Sequence, residues 1–108
     1  MSQEISINAI AYEEGDAWVI QGLEYDIVAS ASDLQSLPKA FTRAVFDSAC
    51  ITQHLGRKPL EGIGPAPAHF RALFEQAQLE MRAVNSPSDE CSVRPEVAVR
   101  VLEKGLAA

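Results

Sequence analysis

Glu4 to Ala31 reads EISINAIAYEEGDAWVIQGLEYDIVASA. Ile5, Ile7, Ala9 and Ala11 alternate with Ser6, Asn8, Ile10 and Tyr12, the two-residue period of a strand. Glu13-Glu14-Gly15-Asp16 follows, where a glycine free to take positive φ suits a hairpin turn. Ala17-Trp18-Val19-Ile20-Gln21 is β-branched and aromatic, which predicts a second strand. Gly22-Leu23-Glu24 leaves room only for a short connection. Tyr25, Ile27, Ala29 and Ala31 then alternate with Asp26, Val28 and Ser30, predicting a third strand over 25–31. Connections this short favour an antiparallel meander. Both faces of it carry apolar side chains. One helix covers only one face, so the other is expected to meet a second subunit.

Downstream, Ser32 and Gln35 fit a capping box. Pro38 is tolerated only in a helix's first turn, where its missing N–H costs nothing. The two together predict a single turn at 33–36 leading into a helix over about 37–55, with Gly56 as its C-terminal cap. At about 100° per residue, Leu37, Phe41, Ala44, Val45, Ser48 and Leu55 share the face expected to cover the sheet. Arg43, Asp47, Cys50 and His54 fall opposite, with Phe46 near them.

Residues 56–67, GRKPLEGIGPAP, form a Gly/Pro-rich connector. Pro67 then suits the start of a second helix over about 67–84, in which Phe70, Leu73, Phe74, Ala77, Met81 and Val84 recur at three- and four-residue spacing. Residues 85–92, NSPSDECS, read as a polar link. The tail from Pro95 suits a short helix or, through Val97, Val99 and Val101, a strand, and is expected to be partly mobile. The chain thus divides into a β-β-β-α unit (1–56), a connector and second helix of the same domain (57–84), and a link with its tail (85–108). The expected class is α+β, a three-stranded meander packed by one helix, with a fourth strand from the tail or a partner as an open alternative.

One hundred and eight residues make one domain. A hydrophobic content of 47% supports a folded chain, but sixteen alanines imply a small core. No apolar run approaches the roughly 20 residues of a membrane span, and MSQEISINAI lacks the basic and apolar regions of a secretory leader. Cys50 and Cys91 are too few for a disulfide framework and are read as a reduced, cytoplasmic thiol pair. The net charge of -6 argues against unaided nucleic-acid binding. Met1 to Pro38 contains no Lys or Arg but seven acids: Glu4, Glu13, Glu14, Asp16, Glu24, Asp26 and Asp33. A one-signed field of this kind attracts a basic partner. It also serves simply to keep sheet edges apart.

Candidate chemistry is sparse. Asp47, Cys50 and His54 lie at i, i+3 and i+7, and a thiol beside an imidazole is the raw material of a nucleophile. The same pair supplies only two zinc ligands where three or four are needed, and neither His69 nor Cys91 has ligand spacing. Glu13, Glu14, Asp16, Glu24 and Asp26 are expected to cluster around the hairpin turn, where carboxylates hold Mg²⁺, perform acid–base work or are merely solvated. Gly62-Ile63-Gly64 lacks the strand, further glycines and lysine of a phosphate loop. Arg57 and Lys58 read as solubilising charges and Trp18 as core. Phe46 is a candidate for packing against the second helix or another subunit. No catalytic residue, metal ligand or cofactor motif is assigned.

The run Ile7–Val45 resembles the N-terminal domain of HicB-like antitoxins through INAIAY, EEGD, AWVIQ, GLEYD, IVASA and SDLQSLPKAFTRAV. The resemblance implies a partial RNase-H-like sheet with a helix across it, homodimers or higher oligomers, and a small basic toxin as partner. GLEYD lacks the proline-glycine pair of many relatives, and residues 57–108 show neither a basic recognition helix nor a strand followed by two helices. The expectation is therefore a non-enzymatic, toxin-neutralising or regulatory protein-binding module, using Glu13, Glu14, Asp16, Glu24 and Asp26 toward a basic partner and Phe46 toward itself. The alternatives are a small metal-dependent hydrolase or nuclease-like enzyme and a self-associating structural protein.

Overall fold

The computed structural model describes residues 3–77, 79–82 and 93–102. The three expected strands form: β1 is Gln3–Glu14, β2 Ala17–Gly22 and β3 Val28–Ala31. A 3-10 turn, Leu34–Ser36, leads into α1, Leu37–His54. Then come α2 (Ala68–Gln76), β4 (Leu79–Arg82) and β5 (Val93–Val101). Among the described residues the architecture is α+β, one mixed sheet in the order β3-β2-β1-β5-β4 with two α-helices. β1–β2, β2–β3 and β4–β5 pair antiparallel. β1 and β5 pair parallel, from Gln3↔Val93 to Ala11↔Val101.

The alternation in β1 separates two apolar layers. Ile5, Ile7, Ala9 and Ala11 join Ile20, Val97, Val99 and Val101 beneath Leu37, Phe41, Val45 and Ala49 of α1. Full burial of each large side chain here stabilises by about 1.5–3 kcal/mol. Ile10 and Tyr12 face the other way and meet Phe70, Leu73 and Phe74 of α2, with Leu23, Ala77 and Leu102. A second helix therefore covers the face that the sequence leaves for another subunit. It does so thinly, for no residue of α2 is fully buried. Among the described residues no helix is long and apolar enough to cross a membrane.

Several expectations are corrected. The meander is part of a five-stranded sheet, and its third strand is shorter than 25–31. In place of a Ser32/Gln35 box, Asp33 caps the 3-10 turn, its side chain accepting from Ser36 N at 2.9 Å, and Ser36, the N-cap of α1, makes no side-chain cap bond. Leu55 is 66% exposed, because the chain has left helical geometry there. Phe46, placed on the far side, is only 5% exposed within the single chain.

The second helix stops at Gln76 instead of running to 84. Ala77 is already extended, and Leu79 and Met81 pair with Val101 and Val99. A four-residue step such as Ala77–Met81 satisfies both the helical and the strand period, which is why the pattern misled. The tail is a strand as far as Val101; residues 103–108 lie outside the described residues. β5 and β4 extend the sheet of the 1–56 unit beside β1.

Gly22 shows how tightly the β2–β3 connection turns. A Cβ there would lie 2.7 Å from the Tyr25 carbonyl oxygen and 3.0 Å from the Phe41 ring.

Candidate functional site

The five candidate carboxylates do not form one cluster. Glu13, Glu14 and Asp16 surround the β1–β2 turn, where Gly15 takes φ +63°. All three are exposed, and their carboxylates form no ion pair with any described residue. Glu24 and Asp26 lie past the far end of β2, whose six residues span about 20 Å.

Those two distant acids are engaged in the fold. At Asn8 the pairing of β1 with β2 runs out. Leu23 N still donates to Asn8 O at 2.9 Å, but the Leu23 carbonyl accepts instead from Ala66 N. The Glu24 carboxylate takes its place: Oε1 accepts from Asn8 N and Oε2 from Asn8 Nδ2, each at 2.7 Å. Arg71 of α2 stands 3.8 Å from Glu24 Oε2. Asp26 Oδ1 accepts from Gln21 Nε2 at 2.8 Å, and Asp26 N donates to Gly64 O. Asn8, Gln21 and Arg71 carry no local signal, since each of these partnerships is made by the turn of the chain after Gly22.

The nucleophile candidate is overturned. Cys50 is disulfide-bonded, so it offers neither a thiolate beside His54 nor half of a reduced pair. The other cysteine of the chain, Cys91, lies outside the described residues. Asp47 is paired with Arg43 at 3.2 Å on the exposed face of α1, and His54 sits exposed in the last turn. Gly62-Ile63-Gly64 is a structural turn, with Gly62 at φ +94° and Ile63 packed on the core. Trp18 packs against the core as expected. Among the described residues there is no group of three or more His, Cys, Asp or Glu that could hold a metal ion.

Beyond the acids, two features mark the α2 side. Tyr12 stacks on Phe70 with ring centroids 6.3 Å apart. Burial, and secondarily the charge of Glu14, hold its phenol above the ordinary value. A groove of about 710 Å³ runs between the β2–β3 connection and α2, lined by Leu23, Glu24, Pro65, Pro67, Arg71 and Glu75 among others. Its charges of both signs lie close together, so it presents no one-signed surface.

What the arrangement leaves open to a partner is the hairpin tip, with three negative charges within four positions. Comparison with protein-family models, with curated proteins and with solved structures found no match to this chain.

Proposed function

We propose that the chain is a non-enzymatic protein-binding module of the HicB-like kind, whose acidic hairpin engages a small basic protein. The observation that carries the reading is the tip itself: Glu13, Glu14 and Asp16 are exposed and make no ion pair with described residues. Carboxylates fixed on a rigid hairpin and not neutralised internally raise the encounter rate and fix the register of a cationic partner. The helix-roofed sheet that presents them supports the same reading. Carboxylate catalysis finds less support, because Glu24 and Asp26 are held away from the tip and are occupied by Asn8, Arg71 and Gln21.

The test is affinity capture from the native extract with the wild-type chain and with a Glu13→Lys/Glu14→Lys/Asp16→Lys variant. The expected result is a small protein of high isoelectric point, retained by the wild type, released by moderate salt and absent from the variant. An unchanged set of captured proteins would overturn the reading. Light scattering of the purified chain separates the self-associating alternative, which requires concentration-dependent assembly with no second component.

A further inference from the structure

We infer that the outer edge of β3 is a docking edge for an extended segment of a basic protein, which joins the sheet as a sixth strand. The inference rests on the reading above that the partner is basic. Among the described residues β3 is the last strand on its side of the sheet. Gly22 N donates to Ile27 O, and this bond sets the phase of the ladder. Antiparallel pairs alternate between bonded and non-bonded positions. With Gln21↔Val28, Ile20↔Ala29 and Val19↔Ser30 in register, the backbone groups of Ala29 and Ala31 turn toward β2. Those of Val28 and Ser30 turn outward. Val28 is 52% exposed, and Ser30 is exposed as well.

Open edges are ordinarily blunted by charge, proline or a bulge. The opposite edge of this sheet follows the rule, since β4 reads LEMR and carries Glu80 and Arg82. β3 reads VASA and carries neither charge nor proline. Its flanks supply the selectivity. Asp26 lies two residues before the strand and Asp33 two residues after it, both exposed. In each, one carboxylate oxygen serves the fold (Asp26 for Gln21, Asp33 for Ser36) and the other has no described partner. The Ala31 end also lies beside the acidic hairpin, because Ala31 pairs with Trp18.

A second copy is a poor occupant. Antiparallel self-pairing has to set outward backbone groups against outward ones, so Val28 would face Ser30 of the second copy. Asp26 then lies within one position of Asp33 at both ends, and like charges this close repel. A strand with Lys or Arg at both ends meets an acid at each.

The test uses a labelled peptide KKTVTVKK and its counterpart EETVTVEE, read by fluorescence anisotropy and by hydrogen exchange. The basic peptide is expected to bind at least about tenfold more tightly and to slow exchange of the Val28 and Ser30 amides. Ser30→Pro removes an outward N–H and no bond to β2. Val28→Lys places a charge on the edge. Each is expected to weaken the peptide about tenfold with an unchanged circular dichroism spectrum, and Val28→Lys carries the test if the proline variant fails to fold. Equal binding by both peptides, binding untouched by the folded edge variants, protection elsewhere in the sheet, or an edge-mediated dimer in sedimentation would each overturn it. Both variants leave the hairpin acids intact. Loss of the native partner on hairpin reversal but not on edge substitution would therefore remove this inference and leave the module reading standing.

Discussion

Thr52 and Thr42 lie on the same helix and do opposite things with a buried hydroxyl. Thr52 Oγ1 accepts from Leu60 N at 2.8 Å and donates to Ala49 O at 2.9 Å. It thereby pins a fully buried leucine that sits at φ +64°. Thr42 Oγ1 is buried with no hydrogen-bond partner among the described residues. Thr52→Val is expected to cost about 1–3 kcal/mol, because it strands the Leu60 N–H. Thr42→Val is expected to be neutral or stabilising by up to about 1 kcal/mol, because it removes an unmatched polar atom. Urea unfolding of the two isosteric variants checks both signs at once. Tyr12 gives a pH-dependent outcome. Its phenol holds its proton above the ordinary range in the folded state, through burial and the nearby Glu14 charge. The folded chain then binds more protons than the unfolded one as pH rises past about 10, so stability falls across that window. Tyr12→Phe should flatten this alkaline loss in melting temperatures measured across that range, while leaving the dependence near neutrality unchanged.

Of the two α-helices described, α2 is the less secured, with no fully buried residue. Its C-terminal turn is fastened by Arg100 of β5, whose Nη1 donates to Phe74 O at 3.0 Å and whose guanidinium lies 4.3 Å from the Phe74 ring centroid. Arg100→Met is expected to cost about 1–3 kcal/mol and to speed amide exchange in α2 before the rest of the chain. Uniform acceleration across the sheet would show that the arginine is not a local fastener. The elements legible in the sequence were those with an unambiguous period and a local stop. Alternation and Gly15 define β1 and β2, while Pro38 and Gly56 bracket α1. β4 was hidden because Ala77, Met81 and the helical residues before them share four-residue steps. The carboxylates were legible as residues, but their division into two groups depends on the length of β2 and on the capture of Asn8 by Glu24. Neither is a local property.

For the whole molecule, the decisive pairing joins the two ends of the sequence. β5 runs parallel to β1 and lies between it and β4, and Val97, Val99 and Val101 complete the core under α1. A fragment spanning 1–56 keeps the meander and α1 but loses this strand and the layer it supplies. It is expected to show no cooperative thermal transition by circular dichroism. A sharp transition in that fragment would show that the first half folds on its own. The arrangement was only half visible beforehand, because valine alternation in the tail allowed a strand without saying where it would lie. The placement of β5 has a consequence for biosynthesis. While a ribosome is still making the segment before Val93, the first strand waits with one flank unmatched, and the sheet can close only after Val101 has emerged.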